Sequence, residues 1–241
     1  MKLILSKKSN TAIALGEQLG VPVVKELPEN QEIKRIVRWG STKHFAGRQL
    51  NTAKGVSNAS DKQLCRKLLR DAGLPVPDET ETDFPLVGRP AKHSGGRHFY
   101  YCKSLVGLRR AKRRGAVYFS KYYPKQNEYR VHVGSGKVLF MSIKEGDKTK
   151  KIWNAHKNGF TFRHMGRSEW LDNEHLRNMA RASKKALKVL GLDYGAVDIL
   201  ADADRIGKYR PFLICEVNTA PHLSDLALSK YVEYFKAKLR L

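Results

Sequence analysis

Two strand-like runs hold the residues best suited to chemistry. In FLICEVN (residues 212–218) Glu216 and Asn218 stand two apart, and in GAVDIL (residues 195–200) Asp198 sits mid-run. Side chains at i and i+2 of a strand share a face, so Glu216 and Asn218 are expected to point one way, and Cys215 and Val217 the other. If the two strands pair, Asp198 joins the first face. Two carboxylates and an amide brought together repel unless a positive centre sits between them. A hard divalent cation such as Mg2+ accepts carboxylate and amide oxygens and leaves its remaining positions to water or phosphate. The alternative is an exposed strand face bearing unrelated polar residues, and spacing alone does not separate the two.

Two further groups are compatible with an anionic ligand. In AKHSGGRH (residues 91–98), Ser94, Gly95 and Gly96 let backbone N–H groups approach an anion closely, with Lys92 and Arg97 adding charge. A Gly-Gly turn between strands is the ordinary alternative. In EYRVHV (residues 128–133), Glu128 and Arg130 share a face. A guanidinium held by a carboxylate is a ready clamp for phosphate or an oxyanion, and a salt bridge on a wet face is the competing explanation.

Other chemistries lack their motifs. There is no G-x-x-x-x-G-K-[ST] and no G-x-G-x-x-G. The eight histidines form no H-x-x-x-H pair, which argues against zinc. No G-x-S-x-G occurs, and Cys65 falls on the apolar stripe of a helix, so a covalent nucleophile has no support. His93 and His222 read as polar loop residues. Arg109–Arg114 packs five cations into six residues, which suits either a phosphate-backbone surface with salt-sensitive binding or a solvated helix face.

The elements that must position these residues are legible. Residues 2–6 and 33–39 read as strands, with a helix around Thr11–Leu19 and a Val-rich stretch at Val21–Val24. This makes a small α/β unit ending near residue 57. In SDKQLCRKLLRDAGLPVP (residues 60–77), Ser60 and Gln63 have capping-box spacing. Leu64, Cys65, Leu68, Leu69 and Ala72 form an apolar stripe, and Gly73 and Pro75 end the helix. FPLVGR, FYYC and AVYFSKYY read as strands, with a basic helix around Ser104–Arg114 before the last. A long hairpin follows in residues 128–144, turning at Gly-Ser-Gly. Helices over Asn173–Leu190 and Ser224–Leu239 flank the two strands that carry Asp198 and Glu216. Alternating strands and helices with hairpin pairs predict an α+β protein whose sheet is partly antiparallel.

The 241 residues suffice for one large or two modest domains. No apolar run reaches the roughly 18 residues of a membrane span, and MKLILSKKSN reads as a first strand rather than a leader. Three separated cysteines predict a reducing, cytoplasmic setting. The net charge of +23 predicts an anionic partner, or else reflects a general solubility habit.

Taken in order, SDKQLCRKLLRDAGLPVP, FPLVGRPAKHSGGR, EYRVHV with its hairpin, GLDYGAVDIL and FLICEVNTAP resemble the ATP-grasp superfamily, close to the RimK and glutathione-synthetase-like carboxylate–amine ligases. The resemblance implies an ATP-grasp fold, two α+β subdomains gripping a nucleotide. It places a reduced preceding α/β domain at 1–57 and the grasp at 58–241, with a lid at about 80–122 and a metal-binding, catalytic part at about 123–241. It implies ATP and two Mg2+ ions, with Mn2+ as a substitute. Asp198, Glu216 and Asn218 match the metal ligands, and Arg130 matches the arginine on the transferred phosphoryl group. The loop His93–Arg97, with Ser94, Gly95, Gly96 and Arg97, matches the glycine lid over the triphosphate, and Lys92 just before it is placed with the nucleotide-binding residues. Arg89 stands where the family usually has a nucleotide-binding lysine, the segment Ser120–Tyr123, with Lys121, Tyr122 and Tyr123, matches the hinge whose main chain reads adenine, and Glu128 is placed with the nucleotide-binding residues. Lys144 and Asn154 match a basic residue and an asparagine near the phosphates. His222 stands where a glycine is common, a departure on the acceptor side. The implied activity joins a carboxylate to an amine through an acyl-phosphate, with at least one macromolecular or anionic substrate, a peptide, protein or modified nucleic acid. A non-catalytic nucleic-acid-binding protein on the same scaffold, using Arg109–Arg114, is the alternative.

Overall fold

The computed structural model describes residues 1–6, 9–29, 31–90, 99–150, 153, 158–201 and 212–241. The expected glycine loop, with Lys92, Ser94, Gly95, Gly96 and Arg97, lies outside the described residues, as does Asn154. No described helix is long and apolar enough to cross a membrane.

The first unit is a parallel sheet in the order β2-β1-β3-β4, from β1 (Lys2–Ser6), β2 (Val23–Val24), β3 (Arg35–Trp39) and β4 (Gln49–Leu50). Its helix α1 (Asn10–Leu19) starts where the Ser9 hydroxyl accepts from the Ala12 amide and stops at Gly20, whose φ of 64° suits a residue without Cβ. The unit is bolted to the rest of the chain by aromatic packing. Trp39 stacks on Tyr194 and meets Tyr231 and Phe235 edge-on. Asn51 adds a polar pin, accepting from the Asp193 and Tyr194 amides and donating its side-chain amide to the Tyr194 carbonyl.

Two helices, α2 (Ala53–Ser60) and α3 (Lys62–Asp71), follow where one was expected. The Ser60 hydroxyl bonds back to the Val56 carbonyl at the end of α2, and the cap of α3 is Asp61, which accepts from the Gln63 and Leu64 amides. The capping-box expectation at Ser60 is therefore corrected by one residue. Leu64 is exposed, while Cys65, Leu69 and Arg66 are buried. Val56 and Ala59 pack in the main core, so the expected boundary after residue 57 falls within α2.

A three-stranded antiparallel sheet, β6-β5-β7, comes next, built from β5 (Leu86–Arg89), β6 (Tyr100–Cys102) and β7 (Tyr118–Lys121). Helix α4 (Leu105–Arg113) covers the face that carries Leu86, Cys102 and Phe119. Arg89 and Tyr118, paired across β5 and β7, alternate to the other face.

The main sheet is antiparallel throughout, in the order β10-β9-β8-β11-β12: β8 (Asn127–Gly134), β9 (Lys137–Glu145), β10 (Thr161–His164), β11 (Tyr194–Ala201) and β12 (Phe212–Asn218). Ser135 and Gly136 form the two-residue turn of the β8–β9 hairpin, both at positive φ. Helix α5 (Arg167–Leu171) precedes α6 (Glu174–Leu190), which is capped by Asn173 and Gly191. On one face of the sheet, α6 buries Met179, Ala186 and Leu187 against Val131, Val197 and Ile214. The C-terminal helix α7 (Asp225–Leu239) packs against α1 and the aromatic cluster. The opposite face of the sheet carries the polar residues.

Candidate functional site

The site is a row of side chains running straight across the main sheet. His164 of β10 pairs with Ser142 of β9, Ser142 with Arg130 of β8, Arg130 with Asp198 of β11, and Asp198 with Glu216 of β12. Strict alternation would not give the last pair. Ile199 pairs with Ile214 but Asp198 pairs with Glu216, so Cys215 is the extra residue of a β-bulge. Ile214 and Val217 both enter the core below, although they are three apart. Cys215 does not join that core, and its electrostatic neighbours are Arg66, Glu216, Glu128 and Arg89. The expectation that Cys215 faces away with Val217 is thus corrected.

Asp198, Glu216 and Asn218 do converge. The Asn218 side-chain amide donates to Asp198 Oδ2 and to Glu216 Oε1, at 3.1 Å each. Two cations complete the set. Arg130 grips Asp198 with Nε to Oδ1 at 2.6 Å and Nη2 to Oδ2 at 2.8 Å, a fork that matches carboxylate geometry. Lys62, from the first turn of α3, donates to Glu216 Oε2.

Glu128, expected to hold Arg130, instead takes Lys144, and Lys125 at 3.0 Å. The reason is register: Asp198 lies directly opposite Arg130 on β11, while Lys144 lies on the neighbouring β9. The Phe162 ring lies beneath both cations, 4.2 Å from the Arg130 guanidinium carbon and 5.1 Å from Lys144 Nζ.

The three-stranded sheet and α3 supply a second group of side chains. Arg89 Nη1, Tyr118 Oη and Arg66 Nε and Nη1 are buried without a hydrogen-bond partner among the described residues. The Arg66 guanidinium lies 5.3 Å from the Tyr118 ring centre, and Arg89 lies 4.7 Å from that of Phe99. Burying a guanidinium with donors unused is costly, so these four atoms call for acceptors beyond the described residues. In the expected hinge, the Lys121 and Tyr122 amides already bond to the Asp78 and Pro85 carbonyls, and Lys121 Nζ reaches the exposed Asp83. Tyr122 packs edge-on against Tyr101, and the Tyr123 carbonyl accepts from the Lys125 amide.

Charge follows this geometry. Burial alone would raise the Glu216 carboxyl, but the Lys62 ammonium and the Asn218 amide hold it well below the usual carboxylate range. Burial raises Asp198, with Arg130 pulling it down and the Glu216 charge pushing it up. Burial works against the Arg130 charge too, and Asp198 more than offsets it. Glu128 is lowered because Lys125 and Lys144 outweigh its burial. Beyond Arg130 on β8, the buried His132 is kept far below its usual value by burial, by Arg130 and by His164.

The donor set suits a hard cation. The Asp198 and Glu216 carboxylates, held here by Arg130 and Lys62, are the oxygen donors a hard cation accepts, and rotating the Asn218 amide would turn its oxygen toward them. Among the described residues no cluster of three or more His, Cys, Asp or Glu side chains that could hold a metal ion occurs. Lys62 and Arg66 were not foreseen. Their i, i+4 spacing on α3 places them on one helix face, but which face meets the strands is a tertiary fact. Tyr118, Phe162 and the Cys215 bulge carried no sequence signal of their own.

No protein-family profile and no curated protein matches the sequence. Solved structures do match in three dimensions. The chain is similar to the ATP-grasp ligase PsnB complexed with minimal precursor, at 15% identity and a TM-score of 0.67 over 98% of this chain and 99% of that one. It is similar to D-alanine–D-alanine ligase from Bacillus anthracis, at 17% identity and a TM-score of 0.69 over 98% and 91%. A third is the macrocyclase MdnC bound with precursor peptide MdnA, from Microcystis aeruginosa MRC, at 12% identity and a TM-score of 0.64 over all of both chains. The chain therefore has the ATP-grasp fold, of the α+β class.

Proposed function

We propose that this protein is an ATP- and Mg2+-dependent ligase that joins a carboxylate to an amine through an acyl-phosphate. The observation that carries the reading is the in-register set Arg130, Asp198 and Glu216 with Asn218, together with Arg66 and Arg89, three of whose buried N–H donors lack partners among the described residues. Asp198, Glu216 and Asn218 would hold Mg2+, which would offset triphosphate charge. Lys62, Arg66, Arg89 and Lys144 would take phosphate oxygens.

In the first step the substrate carboxylate attacks the γ-phosphorus, forming an acyl-phosphate and releasing ADP. In the second an amine displaces phosphate and the amide forms. The protein positions the reactants and spreads charge. Arg130, rigid between Asp198 and Phe162, would face the phosphoryl group in flight. The lid would keep water from the acyl-phosphate. The fold likeness to PsnB and MdnC, both complexed with precursor peptides, favours a peptide or protein over a nucleic acid as the large substrate.

The test compares the thermal midpoints of wild type and Glu216→Gln with and without Mg-ATP. At about a hundred times Kd a ligand stabilises by ~2.7 kcal/mol, or roughly 5–10 °C for this size. The shift is expected in wild type and is lost in a folded Glu216→Gln, which also releases no ADP. A full shift or wild-type ADP release in the mutant overturns the assignment.

A further inference from the structure

The basic helix of the lid is not absorbed by this reading. Arg89 and Tyr118 face the cleft from one side of the lid sheet, and α4 packs on the other. Its charges thus point away from any nucleotide. Residues 103–114 contain six cations and no carboxylate. Among the described residues Arg109, Arg110, Arg113 and Arg114 have no ion-pair partner, while Lys112 pairs with Glu81. Arg109 and Arg113 are spaced i, i+4, as are Arg110 and Arg114, and like charges at that spacing work against the helix. The helix dipole favours cations in the last turn, yet it is worth only about half a charge.

The same outward face is partly apolar. Leu105 is 55% exposed and Val106 64%, and Val117, just after the helix, is 59% exposed. Leu108 and Ala111 fill the buried side of α4. Leu105, Arg109 and Arg113 form one outward line, and Val106 and Arg110 a second beside it.

We infer that the outer face of α4 docks an acidic, amphipathic helical segment of a protein partner. Carboxylates on that segment meet Arg109, Arg110 and Arg113, and its apolar side covers Leu105 and Val106. Charge complementarity selects an acid, and the aliphatic pair selects a protein. A phosphate backbone would leave Leu105 and Val106 uncovered, and α4 carries no aromatic ring on which a base could stack. A nine-residue helix is about 13 Å long, short of the roughly 800 Å² per partner of a stable interface. The docking is therefore weak and reversible, as suits a partner held near the lid and then released.

The experiment uses the full chain and fluorescence anisotropy at physiological salt. The probes are a labelled 15-residue helical peptide with Leu at i, i+4 positions and Glu elsewhere, a poly-Glu peptide of equal charge, and a single-stranded oligonucleotide of equal charge. The amphipathic peptide is expected to bind at least about tenfold more tightly than either control. Arg109→Glu/Arg113→Glu is expected to weaken it by about tenfold or more, and Leu105→Ser/Val106→Ser by about fivefold. Lys185→Glu/Lys188→Glu, which makes the same change in net charge on α6, should leave it within about twofold. Retention of the Mg-ATP thermal shift, or of the wild-type melting point if no shift exists, shows that each variant is folded, so failure here is separate from failure of the ligase reading. Equal binding of all three probes, equal loss in the α6 control, tighter binding of the oligonucleotide, or no binding at all overturns the inference.

Discussion

Glu216 stands directly opposite Asp198 because Cys215 is bulged out of the β11–β12 ladder. Continued from the Ile199–Ile214 pair, an unbroken ladder would set Cys215 opposite Asp198 and turn Glu216 toward the core. One extra residue therefore lets Ile214 and Val217 fill the core while Glu216 and Asn218 lie on the polar face with Asp198. A one-residue slip flips every side chain of a strand to the other face, and the bulge uses that rule to assemble the site.

The bulge makes Cys215 a reporter of the cleft. Cys65 and Cys102 are 3% and 1% exposed, and burial pushes the Cys65 thiol up to about 12. Cys215 is half-buried and its thiol is also raised, mainly by burial. A maleimide should label Cys215 first, slowly at pH 7 and faster at pH 9, with Mg-ATP slowing the reaction. Mass spectrometry of the labelled peptides reads the order. Labelling of Cys65 or Cys102 ahead of Cys215 in the folded protein contradicts the bulged geometry.

Arg130 and Asp198 should behave as one unit. Removing one partner of a buried pair leaves the other charge uncompensated, at a cost of ~3–5 kcal/mol. Arg130→Met should lower the melting point by roughly 6–20 °C, at about 2–4 °C per kcal/mol for this size. Arg130→Met/Asp198→Leu should recover much of that loss while releasing no ADP. Additive losses in denaturant melts would show that the pair is not coupled.

Stability should fall in mild acid through His132. Its imidazole lies 3.1 Å from the Tyr231 hydroxyl, stacks on Phe140 and is kept neutral by burial. With the folded value depressed, the unfolded chain binds more protons below about pH 6.5, so stability drops as pH falls through that window. One such group gives a slope of at most ~1.4 kcal/mol per pH unit. His164 and His175 shift in the same direction and add to it. His132→Gln should flatten the slope of the melting point between pH 7 and 5 by its own share. An unchanged slope would sink the assignment.

Glu216 should act lower on the pH scale. Its folded value is depressed, so the stability it contributes is complete above about pH 4.3 and is lost as pH falls further. Asp198 is shifted upward and opposes it. Acid titration of Glu216→Gln should therefore show a shallower decline below about pH 4 than wild type. A decline as steep as that of wild type would place the acid-sensitive charge elsewhere.

Much of the site was legible because strand periodicity and residue chemistry are local. The pairs Glu216/Asn218 and Glu128/Arg130, the strand carrying Asp198, the β8–β9 turn and the helix over Asn173–Leu190 all follow from spacing over a few residues. The order of those motifs carried the ATP-grasp expectation. What spacing could not decide was partnership. Arg130 holds Asp198 rather than Glu128 because a strand 68 residues away lies beside it in register. Lys62 reaches Glu216 across 154 residues because α3 docks on the end of β12. The Cys215 bulge, the buried Arg66 and Arg89 donors without a partner among the described residues, and the outward face of α4 likewise exist only once the sheets are packed. Periodicity determines which side chains share a face, but long-range register and burial decide which face meets which, and those are properties of the assembled chain.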